Sequence, residues 1–387
     1  MRFMLILLAF VLFCTNSLPA GEIVAALTEP DGNMRKIEYE HDSPLYKYFA
    51  KQGIRSSFID YDIFARDFPR AKFLQELKKF HVVMLRMSDE TVAVLNDKLQ
   101  RKAVEVGEIL QQYVESGGGL VLIPVNTRYP GHDDEKFWNL VFKPLGMAIT
   151  REGVADLTRK VNHEWKIGFF NDFFPTGNMV KHPVTENISN LWFPFFSYIK
   201  SPGTTYIDYS ADWQILVRGE KTAATYQKNY QNVFQLDVPG MVKSEPAIVA
   251  ARTLGKGRIV CIPIQNVHTG QNYGKPTWSH IVEERGAEGK SGGGMQLICN
   301  ALKWCAEPVA GNPEFGTYVA TPYEKIQFPE SVSWDESEFG AVQQKFHKYI
   351  FGLHSNYSDG QSSVEDYVHA AKAAGLSGVV FADPLEK

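Results

Sequence analysis

Cysteine is scarce in this chain. Four of its 387 residues are cysteine, and one of them, Cys14, belongs to an N-terminal apolar stretch. The other three, Cys261, Cys299 and Cys305, are an odd number, so a disulfide framework does not build the fold. Cys261 lies inside the apolar run Arg258-Ile259-Val260-Cys261-Ile262 and reads as a buried strand residue. Cys299 and Cys305 sit in a helical pattern at a spacing that turns them to different faces, which disfavours a bridge or a shared metal. A dominant charge is lacking too: 40 Lys and Arg stand against 44 Asp and Glu, with no basic run or stripe. That excludes the electrostatic footprint of a nucleic-acid binder. Paired metal-ligand motifs are also missing around His163, His268 and His280, none of which has an HxH or HExxH partner. Each therefore reads first as a surface or hydrogen-bonded histidine. There is no internal repeat and no low-complexity tract.

What is present starts at the N-terminus. Arg2 precedes an unbroken apolar run, Phe3 to Phe13, followed by Cys14-Thr15-Asn16-Ser17-Leu18-Pro19-Ala20. A positive start, a short apolar core and a small residue make residues 1–20 a secretory signal cut after Ala20. The run is too short to span a bilayer comfortably. The expectation is a secreted or periplasmic protein with no membrane attachment after cleavage.

Residues 22 to about 150 alternate strand and helix signals. Strands are expected over 22–27, 55–60, 81–85 and 120–125. Helices are expected over 43–52, with Ser43 as cap and Pro44 first, over 71–79 and over 99–116. This alternation means a parallel sheet covered on both faces. From about 150 to 245 the texture changes to aromatics and short alternating runs, such as Thr204 to Tyr209 and Gln214 to Arg218. These read as an antiparallel insertion. The sheet pattern resumes at Pro246 with a hairpin, 247–252 and 258–264, around Gly255-Lys256-Gly257; a helix over 294–306 follows. Proline-rich residues 311–345 form the expected linker between a domain over 21–310 and a second one starting at 346. The expected fold class is α/β: a flavodoxin-like parallel sheet with helices on both faces, then the first βαβ unit of an incomplete α/β barrel.

Within the insertion, Trp192, Phe193, Phe195, Phe196 and Tyr198 form a dense aromatic cluster. It suits a carbohydrate-stacking platform through Trp192 and Phe195, a contact in a homo-oligomer, or a wall of core under the insertion.

Three stretches carry a resemblance. They are Tyr113-Val114-Glu115-Ser116-Gly117-Gly118-Gly119-Leu120-Val121-Leu122-Ile123, His182-Pro183-Val184-Thr185 and Gly255-Lys256-Gly257-Arg258-Ile259-Val260. Together they resemble the class I glutamine amidotransferase-like fold, in particular its ThuA-like and β-galactosidase trimerisation-like branches. That resemblance implies a nucleophilic cysteine on a tight turn after a strand. The matching place here reads Asn126-Thr127-Arg128. The fold is therefore expected without the amidotransferase reaction.

The last stretch reads strand, loop, helix, strand. Ile350 to Leu353 runs into His354-Ser355-Asn356-Tyr357-Ser358-Asp359-Gly360; Ser362 with Glu365 suggests a capping box; Gly378 to Ala382 is a buried strand ending at Asp383. At these residues the chain resembles the PHP (polymerase and histidinol phosphatase) family, whose first motif is His-x-His-Thr-x-Tyr-Ser-Asp-Gly and whose second is Thr-Asp-His. The resemblance implies metal ligands at His354, Asp359 and Asp383. It also implies hydrolysis of a small-molecule phosphoester with a divalent manganese, zinc or iron ion. Gly352 takes the place of the first histidine, and the second motif reads Ala382-Asp383-Pro384. Further ligands would lie beyond Lys387, so residues 346–387 alone are expected to hold no metal and to be inactive. The alternative is a non-enzymatic module that binds carbohydrate or a partner and carries a vestigial start of a barrel.

Overall fold

The computed structural model describes residues 22–28, 44–59, 69–86, 94–124, 133–162, 170–197, 203–228, 234–264, 286–320, 349–353, 355 and 362–381. Residues 1–20 of the expected signal lie outside these. The chain divides into two compact units, Met1–Tyr323 and Glu324–Lys387. No described helix is long and apolar enough to cross a membrane.

The first unit is built on five parallel strands: β1 (Ile23–Thr28), β2 (Ile54–Ile59), β3 (Val82–Arg86), β4 (Gly119–Ile123) and, far along the chain, β14 (Gly257–Cys261). Their order is β14-β4-β3-β1-β2, with β1 in register with β2 from Ile23↔Ile54 to Thr28↔Ile59. The sequence Gly-Leu-Val-Leu-Ile of β4 is buried at every position. Successive strand residues face opposite ways, so both faces of the sheet are covered. Helices α1 (Pro44–Lys51), α2 (Arg70–Lys78), α3 (Asp97–Glu115), α4 (Asp134–Phe142) and α5 (Gly294–Ala306) supply that cover. Helix α3 starts where the Asn96 side chain accepts the Leu99 N–H at 3.0 Å. Its stripe Ala103, Val106, Ile109, Leu110, Tyr113 and Val114 is fully buried. Each large apolar side chain so buried contributes roughly 1.5–3 kcal/mol.

The insertion forms two further sheets. One has the order β12-β11-β5-β9, made of β5 (Met147–Ala155), β9 (Thr205–Tyr209), β11 (Ala224–Lys228) and β12 (Phe234–Pro239). The other is β6 (Val161–Asn162), β7 (Phe170–Thr176) and β8 (Leu191–Ser197). All pairings in both are antiparallel. One run behaves differently from expectation. Gln214–Arg218, strand β10, leaves the insertion and pairs with β13 (Ala247–Leu254) at the edge of the main sheet. Its Leu216 and Val217 are buried, and that burial is the reason it joins the larger core.

The expected linker also starts too early. Residues 312–320 pack on the first unit. Phe315 and Tyr318 are buried, Tyr318 stacks on Phe80 with centroids 5.0 Å apart, and the Tyr318 N–H donates to the Lys79 carbonyl at 2.9 Å. The prolines and the lack of periodicity suggested a linker; two aromatic anchors hold its first residues on the first unit.

The second unit contains β15 (Tyr349–Leu353), α6 (Val364–Ala373) and β16 (Gly378–Phe381). The strands are parallel, paired from Tyr349↔Gly378 to Leu353↔Phe381. The capping box at α6 is Ser363 with Asp366, one residue later than the sequence suggested. Ala371 is the one buried apolar side chain among the described residues of this unit, and Phe351 is 72% exposed. The described residues of this unit therefore bury little apolar surface.

Candidate functional site

In an open α/β sheet, ligands favour the carboxyl ends of the strands where the winding direction reverses. Here the chain steps from β1 to β2 on one side and then crosses to β3 on the other, so the reversal lies between β1 and β3. Thr28 ends β1 and Arg86 ends β3. The Thr28 hydroxyl accepts the Arg86 N–H at 2.8 Å and donates to the Met84 carbonyl at 3.3 Å, which ties the two strand ends together. Past Thr28, Ile59, Arg86, Pro124 and Ile264, the segments that follow these strands at this edge, including Asn126-Thr127-Arg128, lie outside the described residues.

None of the described cysteines substitutes for the missing nucleophile. Cys261 is on β14, and Cys299 and Cys305 are on α5; all three are free and buried. Burial pushes the Cys261 and Cys299 thiols up to about 12, and raises Cys305 as well. Only thiolates attack. Ellman's reagent at about pH 8 should therefore label none of the three until urea unfolds the chain. Rapid labelling of any one of them in the native protein would contradict this burial.

The His-Pro-Val-Thr stretch proves to be structural. His182 Nδ1 accepts the Val184 N–H at 3.1 Å, and the Thr185 hydroxyl accepts the His182 N–H at 3.1 Å, which closes a one-turn capping box. The imidazole stands edge-on to Trp304 at 4.8 Å, and the Arg258 guanidinium lies over the same indole at 4.8 Å. Burial, then Arg258, holds the His182 pKa below its ordinary value. A hollow of about 770 Å³ opens here, lined by Lys181, His182, Glu186, Asn187 and Ser189 among others. Sequence reasoning missed it, although His182, Pro183 and Thr185 of the quoted stretch line it, because that stretch was read for its fold alone.

Trp192 is 1% exposed and packs with Phe173, Val161 and Ala287, so its ring face is not offered to solvent. The Phe195 side chain lies outside the described residues, as do His163, His268 and His280. The sequence-derived metal ligands His354, Asp359 and Asp383 lie outside them as well. Among the described residues, no group of three or more His, Cys, Asp or Glu side chains converges on a point that would hold a metal. What the structure does give is the strand pair. Leu353 and Phe381 are register partners at the carboxyl ends of β15 and β16. His354 follows the first and Ala382-Asp383 the second, so both segments set out from one edge.

No family model matches the chain, and no curated protein does. Among solved structures it is similar to a cytoplasmic protein from Salmonella typhimurium LT2. The identity is 13% over 73% of this chain and 98% of that one, with a TM-score of 0.38. A second cytoplasmic protein from Salmonella typhimurium gives 14% identity, the same coverages and a TM-score of 0.39. The β-galactosidase from Rahnella sp. R3 gives 12% identity over 68% of this chain and 31% of that one, with a TM-score of 0.29. Likeness at this level assigns neither a family nor a role.

Proposed function

We propose that the chain is exported and that its second unit opens a divergent PHP-type metal-dependent phosphoesterase, behind a sheet domain that has lost its nucleophile. The parallel register of β15 and β16 carries this reading, because it starts the His354–Gly360 segment and the Ala382–Asp383 segment at neighbouring strand ends. The donor set on this chain is one imidazole and two carboxylates, which suits manganese, zinc or iron. A divalent ion held there would supply a water acidic enough to attack a phosphoester near neutral pH. Neutral His354 and ionised Asp359 and Asp383 would hold it, so acidification would release it.

The test uses the protein with whatever its reading frame encodes past Lys387. Manganese, zinc and iron are measured in wild type, His354→Ala and Asp359→Asn, together with hydrolysis of bis(p-nitrophenyl) phosphate. Metal and turnover are expected in wild type and lost in both variants. Equal metal content in all three removes the enzyme reading. Gly352 and Pro384 favour the second reading, a carbohydrate- or partner-binding module with a vestigial barrel start. The burial of Trp192 leaves that module without its expected stacking face.

A further inference from the structure

The segment 312–320 is clamped on the first unit at one histidine. His81 is 5% exposed and opens the edge of β3. Its Nδ1 accepts the Val24 N–H at 2.9 Å, so the ring is neutral, with its proton on Nε2. Gly316, at φ 70°, lies against the ring; a Cβ there would strike Cε1, Nε2 and Nδ1. On either side of this contact the segment is held by its backbone. The Gly316 N–H donates to the Lys78 carbonyl at 3.2 Å, the Tyr318 N–H to the Lys79 carbonyl at 2.9 Å, and Arg55 Nη2 to the Tyr318 carbonyl at 2.9 Å. Phe315 packs toward Tyr113 and under the Lys78 ammonium, 5.3 Å from its centroid.

We infer that His81 is a pH-operated latch: protonation of its ring frees the strap 312–320 while the sheet beneath stays folded. A proton on Nδ1 sets an N–H against the Val24 N–H, so a buried backbone donor loses its acceptor. It also places a cation beside Arg55. The charged surroundings do not offset this. Arg55 on β2 is shared with Glu22 at 3.6 Å. On α2, Lys78 pairs with Glu314 of the strap at 3.3 Å and Lys79 pairs with Glu76 at 2.7 Å. The Tyr113 phenol from α3 stays un-ionised, because burial raises its pKa well above the ordinary value. Burial first, then Arg55, lowers the His81 pKa from its ordinary 6.5. The sign follows. Release removes the part of this burial that Gly316 supplies, so the released form binds the proton more tightly, and the hold, complete above pH 6.5, weakens as pH falls below it.

Hydrogen exchange on the full chain tests the latch at about pH 7.5 and about pH 5, on either side of an ordinary histidine pKa. Rates are corrected for intrinsic pH dependence. The Gly316 and Tyr318 amides are expected to be protected at the higher pH and to lose protection at the lower one, with β3 and β4 amides unchanged. His81→Asn keeps an acceptor for Val24 and removes the titration, so its strap should stay protected at both. Gly316→Ala should expose the strap at both with the sheet intact. Three results overturn the inference: equal strap protection in wild type at the two pH values, simultaneous loss in strap and sheet, or pH dependence surviving in His81→Asn. Should His81→Asn not fold, a protected strap in Gly316→Ala at about pH 7.5 overturns it equally.

Discussion

Gly257→Ala should destabilise the first unit by about 3 kcal/mol, the upper end of ordinary overpacking. A Cβ at Gly257 would meet the carbonyl oxygens of Val114 and Gly118 well inside contact distance, and both belong to main chain that cannot rotate away. The neighbouring turn is as tight. Gly255 holds φ 59°, and a Cβ there would lie 2.7 Å from Cα of Glu115. The end of α3 and the β13–β14 turn thus touch backbone to backbone. Gly177 is the control. Its built Cβ has nothing nearer than 3.5 Å and its φ is unexceptional, so Gly177→Ala should stay within about 0.5 kcal/mol. Urea titration followed by tryptophan fluorescence reads both variants. Equal midpoints for the two would mean that the close approach at Gly257 does not exist.

That contact explains why two of the stretches quoted for the fold resemblance were legible. Gly117-Gly118-Gly119 and Gly255-Lys256-Gly257 are far apart in sequence but meet in space, and Gly119 is the register partner of Arg258. Glycine was needed at both because two main chains share one space. The parallel strands were legible for a simpler reason: apart from the closing Thr28 and Arg86, β1, β3 and β4 are apolar throughout, and a sheet covered on both faces buries such runs. Three features were not legible. Strand β10 reads like its neighbours in the insertion, and only the burial of Leu216 and Val217 against β13 assigns it to the main sheet. The strap's Phe315 and Tyr318 have no periodicity to announce them, because each anchors alone. The α6 cap is set by which residue first turns helical, and Ser363-Asp366 supplied a complete box where Ser362-Glu365 was expected.

The proposed site was legible only through a resemblance. The PHP motifs implied His354, Asp359 and Asp383, which lie outside the described residues; the β15–β16 register adds that the segments carrying them follow neighbouring strand ends. For Trp192 composition left a ligand platform, a subunit contact and a wall of core open, and the packing turns the ring inward onto Phe173. An aromatic-rich segment buries its largest ring wherever a second layer covers it, so density alone does not distinguish a platform from a wall.

Trp138→Ala should cost the first unit roughly 3–5 kcal/mol, the range for deleting a fully enclosed aromatic side chain. Trp138 has no exposed surface and lies between Phe137, 5.6 Å away edge-on, and Phe142, 5.5 Å away and tilted. Relaxation is restricted on the side of α3, where a Cβ on Gly107 would already be 2.5 Å from the Val141 carbonyl. The helix cannot slide inward to fill the hole. Trp138→Phe should recover much of the loss, since a ring of similar placement refills part of the volume. Sequence reading set no element here, because Asp133-Asp134-Glu135-Lys136 gives no apolar period before the aromatics begin. The start of α4 is held from outside instead. Asp133 accepts the Leu95 N–H at 2.9 Å, and that bond, followed by Lys136, lowers its carboxyl pKa. Chemical denaturation of both variants decides the matter. A loss below about 1 kcal/mol in Trp138→Ala would mean α4 is a loose cover rather than part of the core. A loss in the expected range makes α4 part of the core, the next described helix in the chain after β4.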